Sequence, residues 1–468
     1  VRGAGAGVIP AAWVLYAWLP CVITLFATLP PRRAVLWGFL LAWLFLPVHA
    51  IGLPGLPDYT KTTATTFGIA AGVLLFDSGR LGRFRPRLCD LPMLVWCLCP
   101  FASSIANDRG AYDGVSAVVY QSVTWGAPYL IGRLYFDDLR GLRELALGIF
   151  AGGLIYVPLC LAEIAISPQL HRYAYGYHQH EFAQTMRGSG FRPMVFMEHG
   201  LHVGLWMAGA TLIGYGLWSS GSLRRFAKLP TGWLVLALLA TSVACKSTGA
   251  TVLLAAGLAL VWVCRRSASA WPVGLMLLAA LGYCATRALE LWDGKELVQL
   301  AELVSEDRAA SLQFRLTQED RLAERALERP LLGWTPWSFN VVQLDWDEWG
   351  MVVSDGQWII ALGTKGLVGL GALAALLCAP VVSFARRFPA RRWGHPLIAP
   401  GAALAVFLAL YFVDSLFNAM INPLVLLAIG GLAHTRGLPP RPPERPWRKP
   451  LQPAHARPSA PLQRAAEL

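Results

Sequence analysis

Residues 8–29 read VIPAAWVLYAWLPCVITLFATL, and this stretch decides the fold class. It carries no charged side chain over 22 residues. A chain crossing hydrocarbon must satisfy every backbone N–H and C=O internally, and a helix of about 20 mostly apolar residues does so. The run is too long for the apolar core of a signal peptide and has no clear small-x-small cleavage pattern, so it is read as a retained helix.

Twelve further apolar runs follow, near residues 34–53, 62–78, 91–106, 115–135, 144–166, 199–218, 231–245, 250–264, 270–290, 356–383, 397–414 and 416–434. Those at 62–78 and 231–245 are short. The sequence therefore predicts an all-α polytopic membrane protein with 12 or 13 transmembrane helices. Composition agrees: 55% of the 468 residues are hydrophobic and 15% are charged. Soluble domains carry about 25% charged residues.

The formal net charge is +12. Its basic residues sit in short clusters between apolar runs, such as Arg80, Arg83, Arg85 and Arg87, or Arg386, Arg387, Arg391 and Arg392. That pattern is a topology signal and argues against a nucleic-acid partner. The connections at 30–33, 79–90, 136–143, 219–230, 265–269 and 384–396 are basic and belong in the cytoplasm by the positive-inside rule. Nine cysteines lie scattered, mostly within apolar runs, so neither a disulfide nor a metal site is expected.

Five segments result. Residues 1–114 and 115–290 are transmembrane helices, the second set carrying a polar loop at 167–198. Residues 291–355 form a large loop, residues 356–435 the last transmembrane helices, and residues 436–468 a Pro- and Arg-rich tail read as disordered and cytoplasmic. The topology places both long loops on the outer face. Helical periodicity in Leu297–Leu303 and Leu312–Leu327 predicts helices lying on that surface.

Candidate chemistry gathers in these loops. Arg187 and Arg192 flank Gly188, Ser189 and Gly190, and a guanidinium is well suited to phosphate because its planar fork donates two parallel hydrogen bonds. A solvated polar loop explains the same residues. The large loop alternates acid and base at helical spacing, which reads as a solvated face; Arg315, between Phe314 and Leu316, stands apart. Asp355 precedes the span at 356–383 and suits either a helix cap or a general base. Within spans, Glu163, Arg287 and Asp414 are expected to face a cavity with His199 at its rim, and snorkelling explains Arg287 equally well.

In order along the chain come Arg187-Gly-Ser-Gly-Phe-Arg192-Pro, Lys246-Ser-Thr-Gly-Ala, Phe314-Arg315, Glu328-Arg-Pro-Leu-Leu-Gly-Trp334, Asp355-Gly-Gln-Trp and Gly366-Leu-Val-Gly-Leu370. Taken together they resemble the O-antigen ligase and O-antigen polymerase superfamily of bacterial membrane glycosyltransferases, over roughly residues 115–435. The resemblance implies metal-independent glycan transfer, without a cofactor, from an undecaprenyl-diphosphate carrier to an acceptor glycan at the periplasmic face of the inner membrane. It places Arg187, Arg192, Arg315 and Lys246 on the diphosphate and Asp355 as the base. Where ligases carry His-Asn before the span, this chain has Asp355-Gly356, which looks more like polymerase-type members. A transporter or flippase is the other reading of a chain with Pro128 and Pro158 inside spans.

Overall fold

The computed structural model describes residues 10–53, 56–188, 190–303, 305–336, 338–345, 348–352 and 355–437. The tail expected to be disordered lies, from residue 438 on, outside them. Seventeen α-helices are present among the described residues. The first seven are α1 (Ala11–Thr28), α2 (Pro31–Phe45), α3 (Lys61–Phe76), α4 (Leu91–Ala106), α5 (Gly110–Gln121), α6 (Ala127–Tyr135) and α7 (Leu139–Ala165). The next five are α8 (Leu170–Tyr175), α9 (Gly200–Ser219), α10 (Thr231–Ala244), α11 (Thr248–Ser267) and α12 (Trp271–Ala288). The last five are α13 (Lys295–Glu302), α14 (Glu306–Leu327), α15 (Gln357–Arg387), α16 (Ala399–Phe417) and α17 (Pro423–Ala433).

Each apolar run falls on a helix. The run at 115–135 is two helices, α5 and α6, joined by a π-helical turn at Ser122–Gly126 just before Pro128. Proline has no N–H to continue the α ladder, and the wider turn absorbs the register change. Among the described residues, six helices are long and apolar enough to cross a membrane: α1, α4 with its preceding turn, α7, α11, α15 and α16. Burial orders them. The α16 window is 89% buried at the centre of the bundle, whereas that of α1 is 22% buried at its rim. Apolar side chains such as Trp233, Trp262, Leu275 and Leu278 point outward from the bundle, an arrangement suited to a lipid solvent.

The fold is not purely α. Four two-stranded antiparallel hairpins occupy connections: Ala50–Leu53 with Leu56–Thr60, Met186–Arg187 with Gly190–Phe191, Arg225–Phe226 with Leu229–Pro230, and Val341–Asp345 with Glu348–Met351. A hairpin this short has too few residues to print an alternating pattern on the sequence.

The basic connections meet at one end of the bundle. Arg32 pairs with Asp138 at 2.7 Å, Arg133 with Asp90 at 2.7 Å, and Arg143 donates to the Ser222 hydroxyl at 3.1 Å. The loops at 167–198 and 291–355 lie at the other end, where Tyr175 and Tyr177 donate to the carbonyls of Phe45 and Val48, and Arg315 to that of Phe417.

One helix is broken. Gly366 interrupts α15 at φ +64 and ψ −164, a region open to glycine alone. The segment after α14 fills the gap: Trp334 N–H donates to the Gly363 carbonyl at 2.7 Å, and Leu367 N–H to that of Pro330 at 2.7 Å. From α4, Ser103 donates to the Thr364 carbonyl at 3.0 Å. A Cβ on Gly366 would collide with the Leu331 carbonyl, whereas one on Gly371 would meet open space. Gly366→Ala is therefore expected to destabilise the protein by about 2–5 kcal/mol, and Gly371→Ala by less than about 1 kcal/mol. Thermal unfolding of the two detergent-solubilised variants checks the difference.

Candidate functional site

Helix α14 builds half of the site. Its apolar residues Ala309, Leu316, Leu322, Ala323 and Ala326 are buried and fix which face turns inward. Arg308, Arg315 and Glu319 fall at i, i+7 and i+11, so they share one face next to that stripe. Arg315 Nε lies 3.3 Å from the Asp355 carboxylate, and its Nη1 donates to the Phe417 carbonyl at 3.2 Å. That carbonyl is the last of α16, where the helix dipole favours a cation. Both partners of the ion pair are partly open, so the contact orients the guanidinium more than it stabilises the fold.

The loop at 167–198 builds the other half. Arg187 sits on the short hairpin whose turn includes Gly188 at φ +54. Lys246, in the left-handed region at φ +51 between α10 and α11, ties this hairpin down. Its Nζ donates to the Arg187 carbonyl at 3.3 Å, and its own carbonyl accepts from Arg192 Nη2 at 3.3 Å. Lys246 thus braces the backbone of the loop, a part that its expected place on a diphosphate had not suggested. Arg192 is only 2% exposed, and the Nε atoms of both Arg187 and Arg192 are buried without a hydrogen-bond partner.

The halves face each other electrostatically. Burial, followed by the charges of Arg187, Arg308 and Arg315, lowers Arg192 to about 10. Arg187 is lowered by burial and then by Arg308 and Arg315. Among the described residues, no carboxylate lies within 4.0 Å of Arg187, Arg192 or Arg308. Arg187 and Arg192 remain cationic at neutral pH, and the cost to Arg192 is roughly 3 kcal/mol. An anion seated among them relieves that cost. The alternating charges of the large loop place Arg308 on a solvated face; its spacing of two turns from Arg315 is the signal that marks it.

The remaining candidates divide. His199 caps α9: its Nδ1 accepts from Leu201 N–H at 3.0 Å and its Nε2 meets Gln184 at 3.0 Å. Burial, then His180 and Arg192, push it down to about 3, so it stays neutral and holds the loop. Glu163 does not face a cavity. It is 1% exposed and accepts from the backbone N–H groups of Leu170, Met194 and Val195 at 3.0, 2.8 and 2.8 Å. A carboxylate at the end of α7 thereby anchors both ends of the loop. Asp414, 9% exposed on the last turn of α16, accepts from Asn418 at 3.0 Å and feels the charge of Arg315.

Arg287 is not snorkelling. It is 2% exposed and pairs with Asp320 at 2.7 Å, with Glu319 at 3.6 Å, and with the Leu316 carbonyl at 2.9 Å. Glu319, read from the sequence as part of a solvated face, is buried instead. Tyr283 O–H donates to it at 2.7 Å and Trp358 N–H at 3.4 Å. Burial raises its carboxyl to about 7. With Phe314, Arg315, Gln318, Asp355 and Phe417 it lines a small hollow of about 10 Å³, measured as room for a water-sized sphere.

Compared with known proteins, the chain matches no family model and no curated protein sequence. The chemistry of the site therefore rests on its own geometry.

The Glu163 anchor gives a direct expectation. Glu163→Ala strands three buried N–H groups at about 1–3 kcal/mol each. Hydrogen exchange of the Met194 and Val195 amides is expected to quicken by roughly tenfold or more in this variant. Unchanged protection of both amides would show that the loop is held by other means.

Proposed function

We propose that this chain is a multi-pass glycosyltransferase of the bacterial inner membrane, of the O-antigen polymerase or ligase type. It moves a glycan from an undecaprenyl-diphosphate carrier to an acceptor glycan at the periplasmic face. The observation that carries the reading is the cluster of Arg187, Arg192, Arg308 and Arg315, three of which have no carboxylate partner within 4.0 Å among the described residues, beside the Arg315–Asp355 pair. Buried guanidiniums with unanswered N–H donors suit a diphosphate, which supplies both charge and acceptor oxygens.

The chemistry follows from where charge develops. The acceptor hydroxyl oxygen forms a bond to the anomeric carbon as the carbon–oxygen bond to the carrier breaks. Both electrons of that bond leave with the diphosphate, and attack from the opposite side inverts the carbon. Fixed cations aimed at the departing oxygens stabilise the transition state more than the ground state. Asp355 takes the hydroxyl proton while Arg315 keeps its carboxylate oriented. In this reading the thirteen apolar runs, with α5 and α6 as one crossing, make 12 or 13 spans. The basic end of the bundle then faces the cytoplasm and the arginine end the periplasm.

The break in α15 favours a second reading, since transporters bind cargo at interrupted helices. Against it, the carbonyls of Gly363 and Thr364 at the break already accept from Trp334 and Ser103.

Purified protein in lipid nanodiscs, given undecaprenyl-diphosphate-linked oligosaccharide and acceptor, is expected to form extended or ligated glycan. Arg192→Ala, Arg315→Ala and Asp355→Asn should each lower the rate by about 100-fold or more while the protein stays folded. Normal product from Arg315→Ala, or carrier movement across liposomes with no new glycosidic bond, overturns the assignment.

A further inference from the structure

The hollow beside Arg315 contains a carboxylate that the proposed reaction does not yet use. Glu319 and Asp355 line the same small space, which has room for about one water molecule. Their environments differ. Asp355 is partly open and paired with the Arg315 guanidinium at 3.3 Å. Glu319 is 5% exposed and fixed by two donors, the Tyr283 hydroxyl and the Trp358 indole.

The charges around Glu319 leave a place for one proton. From α12 it faces Arg287, Tyr283 and Cys284; from α14, Arg315 and Asp320; from the segment leading into α15, Asp355; and α16 contributes the apolar Phe417. Arg287 answers both Glu319 and Asp320, with Asp320 nearer at 2.7 Å against 3.6 Å. One guanidinium between two carboxylates leaves an excess negative charge in a largely buried cluster, and a proton on Glu319 removes it.

We infer that Glu319 is the second station of a proton relay: the proton that Asp355 takes from the acceptor hydroxyl passes, through one water in the hollow, to the Glu319 carboxylate. Asp355 is thereby returned to its ionised, Arg315-paired form before the next turnover. No electrons move beyond those of the glycosidic exchange, and Glu319 gives the proton up to solvent once the diphosphate has left. The inference rests on the glycosyltransferase reading and adds to it a positioning residue for the proton. It also explains why a carboxylate sits on the apolar face of α14 at all.

A relay of this kind has a pH signature. Glu319 must be ionised to receive a proton, so the wild-type rate should fall as pH drops through its titration, near 7. Glu319→Gln keeps one acceptor oxygen, for the Trp358 indole, while its amide N–H can donate to the Tyr283 hydroxyl, and it cannot titrate. We expect it to lower the turnover rate at pH 7 by roughly tenfold to a hundredfold, with an unchanged KM for the carrier-linked donor. Its profile between about pH 5.5 and 8.5 should lose the acid limb. Glu319→Asp should keep that limb at a shifted position, which protects the test should the glutamine variant fold poorly. If wild-type protein transfers glycan and Glu319→Gln retains the acid limb, the relay is wrong while the glycosyltransferase reading stands. If wild-type protein transfers no glycan, both fall.

Discussion

Mutual repulsion among buried guanidiniums is the constraint on which the rest of this structure turns. Arg192 lies within the field of three other arginines and is almost wholly removed from water. Left to itself, such a group would swing apart and hydrate, because neither desolvation nor like charge favours it. The chain holds it through contacts that do not neutralise it. Backbone carbonyls of Lys246 and Phe417 accept from Arg192 and Arg315, and among the described residues Arg315 alone of the four has a carboxylate partner, Asp355. Other nearby carboxylates are used elsewhere: Glu163 on three backbone N–H groups, Asp320 on Arg287. A protein selected only for stability has no reason to separate its charges in this way, whereas the proposed diphosphate site does.

Rigidity at the cluster is supplied from both loops. The loop at 167–198 is anchored to α7 by Glu163, to α2 by Tyr175 and Tyr177, and to the α10–α11 junction by Lys246. None of these contacts touches the proposed substrate. They set the backbone from which Arg187 and Arg192 project, and a displacement of about 1 Å in that backbone is enough to cost a positioned charge much of its effect.

Legibility in the sequence followed the range of each interaction. Apolar runs announce helices because each run carries its own period and length, and all thirteen fall on helices. The cationic candidates were legible because motif order along the chain placed Arg187, Arg192 and Arg315. What stayed hidden depends on partners distant in sequence. Glu163 looks like a cavity carboxylate until Met194 and Val195 fold back over it. Arg287 looks like a snorkelling cation until α14 brings Asp320 to it. Glu319 was the avoidable miss. Leu312, Leu316, Ala323 and Ala326 form a 4-3 stripe with position 319 in its gap, so the helix period itself places that carboxylate inside. Alternating charges suggest i,i+4 pairing, a surface rule, at a residue lying on the buried stripe.

The break in α15 belongs to the same design. Trp334 donates its indole N–H to the Arg325 carbonyl at 2.8 Å, and the guanidiniums of Arg325 and Arg329 stack on its ring at 3.6 and 4.3 Å. The end of α14 is thus locked to Trp334, and Trp334 is locked to Gly363 on α15. Ten residues earlier on α14, at Arg315, and eight residues before Gly363, at Asp355 just ahead of α15, the same two elements meet again at the Arg315–Asp355 pair, with Glu319 bonded to Trp358 between. Two helices pinned at separate points cannot slide or rotate against each other without breaking one of the pins. An uninterrupted α15 would close its own hydrogen bonds at Gly363 and leave only the contacts near its head, Arg315–Asp355 and Glu319–Trp358. The left-handed glycine, costly in isolation, therefore fixes the register in which the arginine of one helix meets the aspartate at the head of the other.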